Sequence, residues 1–172
     1  MTPPDASAVR ELARAVRAAA ARPEVRDAVE RIYTDLAAEV AKRRPVCVVS
    51  GRCCRFEEYG HRLFVTTAEL AAFVHGVELN PRSPAIDESI RTWNGTGCPF
   101  QVAKLCGVHA LRPFGCRIFF CDATATQWQN DAYEVFHARL KRLHEDLGVD
   151  YFYVEWRQAL RAVIPDLAPA AI

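Results

Sequence analysis

VCVVSGRCCRF, residues 46–56, and GCPFQVAKLCGVHALRPFGCRIFFCD, residues 97–122, hold all seven cysteines of the chain. These are Cys47, Cys53 and Cys54 in the first stretch and Cys98, Cys106, Cys116 and Cys121 in the second. Thiols this frequent, set among turn-forming Gly and Pro, read as irregular, knuckle-like backbone rather than one long helix or strand. The segments on either side carry helical periodicity, which predicts helices packed around a loop-built core.

At 172 residues the chain fits a single domain over 1–172, long enough to bury a core without covalent staples. Within it, 1–44 reads as an N-terminal helical hairpin, 45–123 as the cysteine core and 124–172 as C-terminal helices. The fold class expected is mainly α with a minor β component (α+β minor) and a few short strands.

Helix 1 is expected over 5–21, capped by Asp5 or Ser7, with Val9, Leu12, Val16 and Ala19 or Ala20 as its apolar stripe. Pro23 opens helix 2, striped by Val25, Val29, Ile32, Leu36 and Val40 and ended by Lys42 to Pro45. Val46 to Val49 is a short extended piece and Arg62 to Thr66 a strand. Thr66 and Glu69 make a capping box for a helix through Leu70, Phe73 and Val74 that Gly76 closes.

Leu79 to Gly97, rich in Pro and Gly, is loop with a helical turn at Ile86 to Trp93. Short strands or turns are expected at Gln101 to Leu105 and Arg117 to Phe120, and Pro113 limits any helix at His109 to Leu111. Thr124 or Thr126 caps the longest helix, Gln127 to Leu147, which Gly148 stops. Asp150 opens a last helix with Phe152, Trp156, Leu160 and Val163, ended by Pro165.

A hydrophobic share of 51% and a net charge of +1 leave no basic excess to grip a phosphate backbone, so nucleic acid is not an expected partner. Arg10, Arg14 and Arg17 interrupt the N-terminal apolar residues, which excludes a secretory signal or membrane span there. Asp5, Glu11, Glu24 and Asp27 argue against an organellar presequence. A cytoplasmic protein is expected. In that reducing compartment, clustered cysteines point to metal binding or thiol chemistry, and an odd number cannot pair fully within one chain.

Four thiolates suit Zn(II) or an iron–sulfur cluster, because soft anionic sulfur matches those ions and not Mg or Ca. Adjacent Cys53 and Cys54 point in different directions in extended chain, so they serve two metals, or one metal and one buried position, more easily than a single ion. The spacings C-x7-C, C-x9-C and C-x4-C fit neither a zinc finger nor a ferredoxin run. Arg112 and Arg117 bracket Cys116 and could hydrogen-bond a cofactor's sulfur or offset thiolate charge; the alternative is surface ion pairing.

His137 and His144 share nearly one face of the longest helix and read as core-edge residues before ligands. His109 is better placed by sequence, and His61 and His75 have only proximity. Tyr151, Phe152, Tyr153, Trp156, Phe119 and Phe120 are expected to shield the metal from water. No carboxylate pair among Glu57, Glu58 and Asp122 suggests hydrolysis.

Cys47-Val-Val-Ser50-Gly51-Arg-Cys53-Cys54 resembles the CxxCxxCC signature of the YkgJ-type cysteine-cluster family, a zinc- or iron-chelating domain. Cys98-Pro99-Phe100, Cys106-Gly-Val-His and Arg112-Pro113-Phe-Gly-Cys116-Arg117, followed by Cys121, resemble that family's second half in order. Ser50 stands where the family pattern has its second cysteine. The resemblance implies metal binding through Cys47, Cys53, Cys54, Cys98, Cys106, Cys116 and Cys121, and Ser50 favours one four-ligand site, or a polynuclear site completed by Asp122, His109 or water. Flagellin lysine methylases carry a similar domain, regarded as iron–sulfur, which favours iron over zinc.

Three roles follow as expectations: a structural, sensory or electron-carrying metal module; a redox or protein-modifying enzyme, or its accessory subunit working with a protein partner; and a metal-free thiol protein using Cys53 and Cys54.

Overall fold

The structure, a computed structural model, describes residues 6–164. Among them are α1 (Ala6–Ala20), α2 (Pro23–Arg43), α3 (Phe56–Tyr59), α4 (Thr67–Leu79), α5 (Pro84–Arg91), α6 (Phe114–Ile118), α7 (Thr126–Leu147) and α8 (Trp156–Val163). Four short strands, β1 (Phe64–Thr66), β2 (Gln101–Val102), β3 (Leu105–Cys106) and β4 (Tyr153–Glu155), form two antiparallel pairs, β1 with β4 and β2 with β3. The architecture is mainly α with a minor β component. No described helix is long and apolar enough to cross a membrane.

The stripes read from sequence are the buried faces: Leu12, Val16 and Ala19 on α1, and Val25, Val29, Ile32 and Leu36 on α2. The two helices follow one another as expected, yet each packs more on α4 than on its partner. The Arg22 guanidinium donates to the Leu147 carbonyl at 2.8 Å, tying the start of α2 to the end of α7. One apolar cluster runs from Leu12 to Ile164 and draws on every α-helix. Asp5 and Pro165, expected as a cap and a stop, lie outside the described residues.

Thr66 and Glu69 form the capping box at α4. The helix does not stop at Gly76 but runs to Leu79. Gly76 is there because Leu111 lies against the helix, and a Cβ would come within 2.7 Å of Leu111 Cδ2. The expected helical turn at Ile86 to Trp93 is α5, which starts earlier, at Pro84, with Ser83 as its cap. Proline in the first turn and a serine before it make this a helix start despite the loop-like composition around it.

Of the strand or turn expected at Arg117 to Phe120, no strand forms and the helical turn α6, Phe114–Ile118, ends there; its first amide, Phe114 N–H, is held by Glu69 at 2.9 Å from a distant part of the chain. The last helix does not begin at Asp150. Tyr153–Glu155 is strand β4, pairing Val154 with Val65, and α8 begins at Trp156 with Glu155 as its cap. Nor does a threonine side chain cap α7; Asp122 caps the 3-10 turn that leads into it.

Candidate metal centre

The two cysteine stretches are joined along the backbone. Cys98 N–H donates to the Cys54 carbonyl at 2.8 Å, and the Gln101 side-chain amide donates to the Gly51 carbonyl at 3.0 Å. The β2–β3 hairpin then doubles back so that Cys106 faces Gln101. Its two turn residues, Ala103 and Lys104, have φ of 48° and 67°, a left-handed pair that usually falls to Asn and Gly in such hairpins. Gly51, at φ 71°, lies under this hairpin; a Cβ there would meet Gln101 Nε2 at 2.5 Å and Lys104 O at 2.7 Å.

This stitching gathers four thiols. Cys54, buried, is the hub: Arg52–Cys54 is a 3-10 turn rather than extended chain, which sets the Cys54 sulfur 4.0 Å from that of Cys53. Cys106, Cys53 and Cys98, together with burial, push the Cys54 thiol far up. The partners move the other way against their burial: Cys53 falls to about 6 and Cys106 to about 7, each first through Cys54 and then with help from the Arg112 charge. Cys98 is lowered as well, first by Cys54. Cys116 lies close enough to feel Cys98, Cys53 and Cys106, and burial followed by these like charges drives it up. All seven cysteines are free thiols.

A buried donor faces this group. The indole N–H of Trp156 makes no hydrogen bond of normal geometry, yet it favours the Cys98 thiolate. An unpaired buried N–H is costly next to neutral groups and favourable next to anionic sulfur. Below the thiols the wall is dry: Phe56, Phe73, Phe100 and Trp156 are fully buried, with Phe73 set edge-on to Phe100 and Trp156 at 5.3 and 4.9 Å. Of the aromatic shield expected from sequence, Trp156 belongs to this wall. Phe119, Tyr151 and Tyr153 are exposed.

Arg112 and Arg117 do not spend their described hydrogen bonds on sulfur. Arg112 donates to the carbonyls of His109 and Cys116, and Arg117 to those of Arg112 and Ala110, while lying 4.1 Å over the Tyr33 ring. They clamp the backbone that presents Cys116, and Arg112 acts on the thiols through its charge.

Cys47 and Cys121 stand apart from the Cys54 hub. Asp122 accepts from Val46 N–H at 3.1 Å and so brings the two stretches together a second time. Ser50 Oγ then lies 3.3 Å from Cys121 Sγ. Cys47 is exposed in a run with exposed Val46, Val48 and Val49, the last at φ 50°. Asp122 is occupied by Val46 and Thr124, whose hydrogen bonds hold its carboxyl low.

The histidines are elsewhere. His144 is buried; its Nδ1 meets the Val149 carbonyl at 3.1 Å and its Nε2 accepts from Ala68 N–H at 3.4 Å, so it serves as a second cap on α4. His137 meets the Tyr151 hydroxyl. His109 lines a separate groove with Val77, Asn80 and Leu111. Among the described residues no three His, Cys, Asp or Glu side chains converge tightly enough to hold an ion. The thiols are neighbours, not a closed coordination sphere.

Sequence reasoning missed two residues. The sequence marks Glu69 only as a helix cap, and its bond to Phe114, 45 residues away, has no local signature. His61 sits in no motif, although it lies between Phe56 and Phe119 in the wall of a cavity that also exposes Cys53 and Cys116. No protein-family model matches the chain, and no curated protein or solved structure matches it either.

Proposed function

We propose that the protein is a metal-binding module in which Cys53, Cys54, Cys98 and Cys106 hold an iron–sulfur cluster or a zinc ion, with iron the favoured metal. The observation that supports this is the gathering of these thiols around Cys54 from three chain segments, beside the Arg112 charge and the unpaired indole N–H of Trp156. The donor set fits: four soft sulfurs, a compensating cation, a buried N–H and an aromatic floor suit a negatively charged thiolate centre.

Bound there, iron–sulfur would supply one-electron chemistry, whereas zinc held by all four thiols would stabilise the fold. The chain's own part is to hold the thiols, exclude water with Phe73, Phe100 and Trp156, and balance charge with Arg112. A reducing compartment such as the cytosol keeps these thiols free. A second reading, a redox or protein-modifying enzyme or its subunit, is favoured by the cavity against Cys53 and Cys116.

Purification without oxygen, followed by iron, sulfide and zinc analysis with absorption spectra, tests the proposal. Iron with sulfide and a broad visible band, or stoichiometric zinc, supports it. Folded, colourless and metal-free protein overturns it in favour of thiol chemistry at Cys53.

A further inference from the structure

A cavity of about 380 Å³ opens between β1, α6 and the first turns of α7, with Cys53 and Cys116 in its wall. That volume lies in the range of small-molecule sites. Two parallel aromatic pairs border it: His61 on Phe119, with centroids 5.1 Å apart and planes at 15°, and Phe64 on Tyr153, at 5.2 Å and 26°. No carboxylate lines it.

Several of the polar groups that line it have hydrogens to give. Arg62, exposed at its edge, has no ion pair or hydrogen bond among the described residues. Gln129 has its Oε1 taken by Phe120 N–H at 2.6 Å, which leaves its amide hydrogens to give. Tyr133 and Tyr153 share one hydrogen bond between their hydroxyls, so one hydroxyl proton is left over. His61 lines the cavity through its ring, which stacks on Phe119, while both of its nitrogens are buried without a partner.

We propose that this cavity binds a small aromatic carboxylate, its ring continuing one of the aromatic stacks and its anionic group met by Arg62 and the neighbouring donors. Stacked walls select a flat ring, and a guanidinium without an ion pair selects an anion; Glu57, in the adjoining groove with Arg62, is engaged by Arg157. The proposal rests on the metal reading only for the purpose of seating a ligand against Cys53 and Cys116. Occupancy does not require it.

The test is calorimetric titration of the full chain, purified without oxygen, with benzoate, benzamide and cyclohexanecarboxylate, the metal content being measured on the same sample. Benzoate is expected to bind one-to-one, at least about tenfold tighter than either analogue. R62Q is expected to weaken benzoate about tenfold and leave benzamide unchanged, and F119A to weaken both. Benzoate should also shift the His61 ring resonances. Absence of saturable benzoate binding, equal affinity for all three probes, or benzoate binding unaffected by both variants with His61 unmoved overturns the proposal. Metal-bearing protein that ignores benzoate sinks the pocket alone, and metal-free protein that binds it sinks the metal reading alone.

Discussion

Ser50 Oγ lies 3.3 Å from Cys121 Sγ across 71 residues of sequence. The position that departs from the CxxCxxCC pattern therefore faces a thiol, with Cys47 three residues earlier on the same strap. A serine hydroxyl is a poor ligand for soft metals beside a thiolate. Ser50→Cys is expected to raise bound metal per chain above the wild-type value, measured by elemental analysis after anaerobic purification. An unchanged ratio would remove the Cys47, Ser50 and Cys121 corner as a second partial site.

Gly51 carries the docking of the hairpin on the first cysteine stretch. Gly51→Ala should cost about 2–3 kcal/mol, combining the left-handed backbone with the clash against Gln101 and Lys104. Urea unfolding would measure this, and metal content should fall with stability because a structural site's binding energy is folding energy. A variant as stable as wild type would mean that the hairpin does not need to seat there.

Glu69 joins three elements. Its carboxylate accepts from Thr66 N–H and Oγ1 and from Phe114 N–H, each at 2.9 Å, and from the Tyr33 hydroxyl at 3.4 Å. Burial pushes its pKa up while these donors oppose the rise. Glu69→Ala strands buried donors at the starts of α4 and α6, for an expected loss of about 3 kcal/mol or more. Glu69→Gln, which keeps one acceptor, should lose less; equal losses would contradict the hydrogen-bonding role.

His144 gives a pH signature. Burial lowers its pKa below the ordinary value, so as pH falls through about 6.5 the unfolded chain takes up the proton first and the native state loses this residue's contribution. His144→Gln should therefore be less stable than wild type at pH 8, by about 1 kcal/mol for the bonds to Ala68 and Val149. The gap should narrow toward pH 5. A gap constant with pH would show that His144 does not titrate differently in the two states.

Much of the helical frame was legible because it is local: the stripes on α1 and α2, the Thr66–Glu69 box and Gly148 after α7 are short-range signals. Strand β4 was not, since Phe152, Trp156 and Leu160 also fit a helical spacing, and only pairing with β1 decides for strand at Tyr153–Glu155. Turn α6 depends on Glu69, far away in sequence. The cysteine list was readable, but its division was not. Spacing cannot show that Cys106 returns to Cys54 through a hairpin whose turn residues, Ala103 and Lys104, carry no turn signal, or that Cys121 is drawn to Ser50.

The most direct measurement is the metal content of Cys54→Ser beside Cys47→Ser, both purified without oxygen and compared with wild type. Cys54 is the buried hub of the four-thiol group, and Cys47 is exposed outside it. The account predicts that Cys54→Ser loses most of its iron or zinc and that Cys47→Ser keeps most of its own. Equal retention by both variants, or loss confined to Cys47→Ser, would contradict it.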